Sequence, residues 1–163
     1  WRPSARSGHG KIIFRSATLC VEHFSTWRRN RKIAFIFSPS LNRLLAGNPY
    51  GGELFLREGF DVISFKSNVD EWFQQTPQHV FSDIERFIAG KYSERVGYGA
   101  SMGAYAAIAF SRLLHLDRVL ALSPQYSISE PFDTRWAFYN KNIRWRYRVN
   151  RRTMRARRRI WKT

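Results

Sequence analysis

The sequence predicts an α/β fold in which a mostly parallel sheet is flanked by helices. Short apolar runs recur along the chain and alternate with stretches whose apolar residues follow helical spacing. This alternation of strand and helix is typical of parallel sheets joined by right-handed crossovers. With 163 residues, of which 44% are hydrophobic and 16% aromatic, the chain is long enough to bury one core.

The first half of the chain is predicted to be mainly extended. Lys11 to Phe24 contains two apolar runs, and Ile33 to Phe37 is a continuous apolar run of the kind found in buried strands. Pro39 ends that strand, because proline cannot donate a hydrogen bond to the sheet. After a glycine pair, a short helix is predicted at 53–58, and the next strand follows at 60–65.

The second half alternates more regularly. A helix is predicted at 79–89, where apolar residues fall at helical spacing, and a strand at 96–98. A helix rich in small residues follows at 102–114, and a strand at 118–122. The residues after 122 do not read as further strand–helix units, so an open sheet edge is expected there.

The most informative motif is Gly99-Ala100-Ser101-Met102-Gly103, a G-x-S-x-G between a predicted strand and a predicted helix. A serine on such a tight turn is held in a strained backbone conformation, with its hydroxyl exposed at the sheet edge. Gly99 and Gly103 suit this turn, because side chains there would collide with the neighbouring strand and helix. The motif therefore predicts a nucleophile elbow with Ser101 as the nucleophile.

Two other interpretations of these glycines stay open. Gly97-x-Gly99 after a strand superficially resembles a dinucleotide-binding loop, which requires an acidic residue at the end of the next strand. That strand ends in Leu122-Ser123-Pro124, without a carboxylate, so this interpretation is disfavoured. Alternatively, the small residues only permit close packing of the helix on the strand.

The region 33–128 resembles the central part of an α/β-hydrolase domain. Within it, Tyr98-Gly-Ala-Ser-Met-Gly-Ala-Tyr-Ala-Ala107 and Leu120-Ala-Leu-Ser-Pro-Gln-Tyr126 are similar to bacterial serine-esterase-like hydrolases. The resemblance implies ester hydrolysis or acyl transfer without a cofactor, on a small-molecule ester or an acylated saccharide.

The same resemblance implies roles for individual residues. Ser101 would attack a carbonyl carbon, and backbone N–H groups would stabilise the resulting oxyanion. One donor would be Met102, the residue after the nucleophile. The other would come from the loop after 33–37, among Ser38, Ser40 and Leu41.

The partners of the serine are harder to find. The family supplies its acid and its histidine after two further strands beyond 118–122, so this domain is expected to be truncated. Asp133 is the last acidic residue and a candidate acid, although the N-cap of a helix that begins with Thr134-Arg-Trp136 suits it better. His115, the one histidine after Ser101, would lie about 20 Å from it along a helix. No triad histidine is identified, so an active esterase and an inactive relative both stay open.

The positive charge is concentrated at the end of the chain. The formal net charge is +16, and residues 141–163 contain 11 Lys or Arg and no Asp or Glu. We therefore divide the chain into a hydrolase-like core at 1–133 and a basic C-terminal extension at 134–163, either helical or disordered. A helical pattern at sevens and fours runs through Trp136, Ile143, Tyr147, Met154 and Trp161.

Two interpretations of this extension stay open. The first is a non-catalytic protein that binds an anionic partner, either nucleic acid or a membrane surface, through 141–163. The second is a C-terminus that is rich in arginine by accident, after a truncation or an altered reading frame.

Cysteine usage and hydropathy bear on the compartment. The single cysteine, Cys20, lies in an apolar run and suits a reducing compartment, so a cytoplasmic location is expected. No apolar run reaches the length of a membrane span, and no group of His and Cys has metal-ligand spacing. The chain lacks an initiator Met, which suggests a fragment.

Overall fold

The computed structural model describes residues 10–26, 31–125, 134–136, 146–149 and 160–161. Its strands are β1 (Lys11–Arg15), β2 (Leu19–Phe24), β3 (Lys32–Phe37), β4 (Asp61–Ser67), β5 (Glu94–Ala100), β6 (Arg118–Leu122) and β7 (Ile160–Trp161). Its helices are α1 (Gly52–Arg57), α2 (Gln78–Ile88) and α3 (Met102–Ala109), with a 3-10 turn at Thr134–Trp136.

The strands form one sheet in the order β1-β2-β4-β3-β5-β6-β7. β2 runs antiparallel to both of its neighbours, and the pairings from β4 to β7 are parallel. The carboxyl ends of β3, β4, β5 and β6 therefore meet at one edge of the sheet. The predicted class, a mostly parallel sheet flanked by helices, is confirmed.

The core lies on both faces of the sheet. Strand residues alternate between the faces, so Phe35 and Phe37 point into a large cluster with α2 and α3, while Ala34 and Ile36 point into a smaller one. The smaller cluster is covered by aromatic residues around α1, namely Tyr50, Phe55, Phe60 and Tyr98. α3 is apolar on every side and nearly all of it is buried, which places it between the sheet and the rest of the chain.

The predicted helix at 102–114 is longer than the observed α3, which ends at Ala109. The chain then passes through turns to His115, whose φ is 50°. This bend brings Leu114 and Leu116 into the core. Leu116 packs so closely on Gly97 that a Cβ there would lie 2.6 Å from its Cδ1 atom. The helix therefore ends early because Leu116 must pack on β5 and the chain must turn to begin β6 at Arg118.

The expectation of an open edge beyond β6 is wrong at Val119 and Leu120. These residues pair in parallel with Ile160 and Trp161 of β7. β7 has only two residues and stands among arginines, so no periodicity marks it in the sequence.

Part of the basic extension packs on the core. Tyr147 is half-buried and Val149 is buried, and both contact the large cluster. Two residues of the helical pattern, Tyr147 and Trp161, are not in a helix, since residues 146–149 are irregular and Trp161 is in β7. Ile143 and Met154 lie outside the described residues, so the helix remains a prediction there. None of the helices in the described ranges has the length and hydropathy needed to cross a bilayer.

Candidate active site

Ser101 lies at the carboxyl edge of the sheet, directly between β5 and α3. Its backbone has φ 51° and ψ −117°, a conformation that residues with a Cβ adopt only under strain. Its N–H donates to Leu122 O at 2.9 Å, and its carbonyl accepts from Tyr105 N at 3.1 Å. The sheet and the first turn of α3 therefore hold Ser101 in the conformation that a nucleophile elbow requires.

Gly99 and Gly103 permit this turn through close packing. A Cβ on Gly99 would lie 2.3 Å from the carbonyl carbon of Gly103, and a Cβ on Gly103 would lie 2.3 Å from Phe37 O. Both contacts are with backbone atoms, which cannot give way without moving a strand or the helix. The close-packing interpretation and the elbow interpretation of these glycines are thus compatible.

The proposed oxyanion donors differ in whether their backbone N–H group already has an acceptor. Met102 is the first residue of α3, and the first N–H groups of a helix have no acceptor within the helix. Ser38 is buried, and its N–H donates to Phe65 O at 3.0 Å. Its N–H is already used in this conformation, so Ser38 is not available as a donor. The N–H of Leu41 donates to Asp70 Oδ1 at 3.3 Å, so Ser40 is the remaining candidate from the loop after β3.

The loop that carries Ser40 is held by two charged side chains. Asp70 accepts from the N–H of Leu41 at 3.3 Å and from the guanidinium of Arg43 at 3.0 Å. Further along the loop, the buried ammonium of Lys66 donates to Gly47 O at 2.5 Å and pairs with Glu22. These contacts keep the loop beside the carboxyl edge of β4 and β3.

The Ser101 hydroxyl has an amide as its hydrogen-bond partner. Gln125 Nε2 donates to Ser101 Oγ at 3.1 Å, and Gln125 Oε1 accepts from Trp72 Nε1 at 3.4 Å. A carboxamide cannot take up the serine proton, so Gln125 is not a general base. Sequence reasoning assigned no role to Gln125, although it lies in the segment 120–126 that resembles the hydrolases, and it did not single out Trp72, which belongs to no recognisable motif.

Of the described histidines, none hydrogen-bonds to Ser101. His23 Nε2 lies 3.2 Å from Tyr92 Oη and 3.8 Å from Asp61 Oδ2. Asp61 begins β4, so this group occupies the opposite edge of the sheet from Ser101. His79 and His115 are exposed on the surface. Asp133 and His9 lie outside the described residues.

Asp61 is the centre of that polar group. It accepts hydrogen bonds from Thr26 N at 2.8 Å, Thr26 Oγ1 at 3.0 Å and Tyr92 Oη at 2.6 Å. Although burial alone would raise the pKa of Asp61, these bonds and the His23 ring hold it well below its ordinary value. The group ties β2, β4 and the start of β5 together. In the part of the chain that the structure describes, no set of three His, Cys, Asp or Glu side chains could hold a metal.

A segment of the basic extension, residues 146–149, lies beside the first turn of α3. Gln74 is buried and holds it with its whole amide: Oε1 accepts from Arg146 N at 2.8 Å and Tyr147 N at 2.7 Å, and Nε2 donates to Tyr147 O at 2.8 Å. Tyr105, one turn after Ser101, bonds to Tyr147 O and Val149 N. The outward-facing residues of the segment, Arg146 and Arg148, are exposed.

Comparison with known proteins supports the fold. No protein-family model matches the chain, and no curated protein matches it. Among solved structures, the capsule O-acetyltransferase of Neisseria meningitidis serogroup A is similar, with a TM-score of 0.52 and 13% identity over 75% of this chain and 55% of that one.

Two hydrolases are similar to the same degree. Thermogutta terrifontis esterase 2 has a TM-score of 0.52 and 12% identity over 82% of this chain and 63% of its own. Pyrococcus horikoshii acylaminoacyl peptidase has a TM-score of 0.55 and 12% identity over 91% and 27%. The chain thus spans less than two thirds of each of these proteins. At such low identity the likeness shows the fold alone, which is α/β-hydrolase-like.

Proposed function

We propose that this chain carries the nucleophile of a bacterial serine-esterase-like acyl-transfer site, and that the nucleophile is Ser101. The observation that supports this most strongly is the strained backbone of Ser101, with φ 51° and ψ −117°. Such strain persists only where the surroundings enforce it, and it is concentrated at functional sites. A serine used only for packing gains nothing from this conformation.

In the proposed reaction, Ser101 Oγ attacks an ester carbonyl carbon and its proton passes to a general base. The N–H groups of Met102 and Ser40 stabilise the oxyanion of the tetrahedral intermediate. The ester C–O bond breaks, and the leaving oxygen takes the proton from the base and departs as the alcohol. The acyl group on Oγ is then transferred to water or to a hydroxyl group of an acceptor. The substrate classes are a small ester or an acylated saccharide.

The general base of this proposal comes from outside the described residues. The resemblance to α/β-hydrolases implies an acid and a histidine from loops that follow two further strands beyond β6. Asp133 is the candidate acid among the residues after β6.

A fluorophosphonate probe tests the proposal, because it labels only activated serines. We expect labelling of the chain that is lost in Ser101→Ala. Ser123→Ala is the matched control, since Ser123 also has a positive φ, 48°, and is exposed after the neighbouring strand β6. Absence of labelling, or labelling that survives Ser101→Ala, would overturn the proposed function for this chain.

A second candidate function is binding of an anionic partner, either nucleic acid or a membrane surface. It is supported by Arg146 and Arg148, which are exposed on either side of Tyr147, a residue that packs on the core. Two arginines on fixed backbone lose less entropy on binding than two on a flexible tail. In this interpretation the hydrolase-like core acts as a scaffold.

Binding to duplex DNA and to vesicles containing anionic lipid, measured over a range of salt concentrations, tests this candidate. We expect Arg146→Gln with Arg148→Gln to weaken binding and to reduce its salt dependence by about two charges. Arg57→Gln with Arg86→Gln removes the same charge from exposed positions elsewhere. Equal effects of the two double variants would show that only net charge matters.

A further inference from the structure

We infer that Gln125 is a further catalytic residue of the Ser101 site, whose amide N–H stabilises negative charge on Oγ. Trp72 is the positioning residue that holds the amide in the required orientation. The inference rests on the proposed function of Ser101, since it assigns a role to the partner of that nucleophile.

The orientation of the Gln125 amide follows from its two neighbours. The indole Nε1 of Trp72 is a donor only, so the amide must turn its oxygen toward Trp72, at 3.4 Å. Its NH₂ group then faces Ser101 Oγ, at 3.1 Å. Ser101 Oγ therefore accepts a hydrogen bond from Gln125 and keeps its own proton for a base.

Trp72 is itself fixed. Its side chain is completely buried, and its φ of 50° is followed by a φ of 59° at Phe73. Its carbonyl accepts from Gln74 Nε2 at 3.2 Å, the same amide that holds residues 146–149. Two consecutive strained residues with buried side chains leave the indole little freedom. The Trp72 N–H is therefore a donor in a fixed position, and it orients the Gln125 amide.

The hydrogen bond from Gln125 to Oγ has different effects on the two steps of acyl transfer. In the first half Oγ forms a bond to the acyl carbon and becomes an ester oxygen, which is a poor acceptor. In the second half an acceptor hydroxyl or water attacks the acyl carbon and gives its proton to the base, the C–Oγ bond breaks, and its electron pair returns to Oγ, which takes that proton from the base. The Gln125 N–H keeps its own proton and bonds more strongly to the free or departing Oγ than to the ester oxygen, so it favours the free serine over the acyl-serine and assists release of the acyl group.

The test measures charge stabilisation at position 101 without requiring turnover. Ser101→Cys is made in a Cys20→Ala background, because Cys20 is the one cysteine of the chain. The pKa of the introduced thiol is obtained from the pH dependence of its alkylation by iodoacetamide. The N-terminus of α3 lowers a thiol pKa as well, so the readout is the difference between variants and not the value itself.

We expect Gln125→Met in this background to raise the pKa of the introduced thiol by about one. At a pH below that pKa, the variant would then contain about tenfold less thiolate than the parent with Gln125. Trp72→Phe raises it by less, since the amide stays but loses its orientation. Gln125→Glu keeps the side-chain volume and raises it most, because the donor is replaced by a negative charge. Gln75→Met, at an exposed glutamine, leaves it unchanged.

Far-ultraviolet circular dichroism verifies that each variant is folded, and Trp72→Phe, which adds no charge, provides the result if Gln125→Met does not fold. A thiol pKa that is insensitive to the substitution at Gln125 would overturn the inference. Loss of fluorophosphonate labelling bears only on the proposed function, since it reports the base and not the hydrogen bond from Gln125.

Discussion

The hydroxyl of Tyr105 donates a hydrogen bond of 3.1 Å to the carbonyl oxygen of Tyr147 and accepts one of 3.3 Å from the N–H of Val149. Burial raises the pKa of Tyr105, so its hydroxyl stays protonated and able to donate. One side chain of α3 thereby satisfies two backbone groups of the basic extension. Residues 146–149 of the extension and the helix that follows Ser101 are therefore parts of one packed unit.

Removal of the Gln74 amide should destabilise this unit. In Gln74→Leu the N–H groups of Arg146 and Tyr147 lose their acceptor, so we expect the free energy of unfolding to fall by about 2–3 kcal/mol. Gln75→Leu is the control, because Gln75 is exposed. Urea denaturation measures both, and equal stabilities would show that the contacts of Gln74 contribute nothing.

A methyl group at Gly103 should be poorly tolerated. Because the added Cβ would lie 2.3 Å from Phe37 O, α3 or β3 must shift, and we expect Gly103→Ala to lower the unfolding free energy by about 3 kcal/mol. Gly59→Ala, also on a turn and with open space around its Cβ position, should lose only about 1 kcal/mol through its positive φ. Thermal denaturation compares the two, and a smaller loss at Gly103 would contradict the packing described.

Relief of strain at Ser101 should raise stability. Ser101→Gly removes the Cβ that makes φ 51° and ψ −117° unfavourable, whereas Ser101→Ala retains it. After allowance for the extra freedom of glycine in the unfolded chain, we expect the glycine variant to be about 1 kcal/mol more stable than the alanine variant. Chemical denaturation decides this, and a less stable glycine variant would show that the turn is not strained.

Acid should destabilise the fold through Asp61. Its pKa in the folded chain lies below the unfolded value of about 3.9, so the unfolded chain takes up the proton at higher pH. The stability that Asp61 contributes is therefore complete above about pH 5 and is lost as the pH falls through the unfolded value toward the folded one. Asp61→Asn should flatten this acid limb of the pH–stability curve. Asp83→Asn, at a surface ion pair, should leave it in place.

Local patterns account for much of what could be predicted from sequence. The G-x-S-x-G motif lies between a strand and a helix in the structure, and β6 has the predicted bounds, because both depend on residues adjacent in the chain. The partners of Ser101 could not be predicted in this way. Gln125 is 24 residues from Ser101 and reaches it only because β5 and β6 are neighbours in the sheet.

Two further features depend on tertiary contacts that leave no periodic signal. β7 is too short for alternation to be visible, and Tyr147 is drawn inward by the amide of Gln74, far away in sequence. Ser38 was a reasonable oxyanion donor by position, but the hydrogen bond of its N–H to Phe65 depends on the register of β3 against β4.

The ring of Tyr147 lies 4.8 Å from that of Phe110 and 5.7 Å from that of Phe81, centroid to centroid. A chain cut before this residue would expose both phenylalanines, so a deletion of the basic extension would confound the loss of charge with the loss of packing. Substitution of the exposed Arg146 and Arg148 leaves this packing intact, whereas substitution of Tyr147 or Val149 removes it. The charge of the segment is thereby separable from its packing.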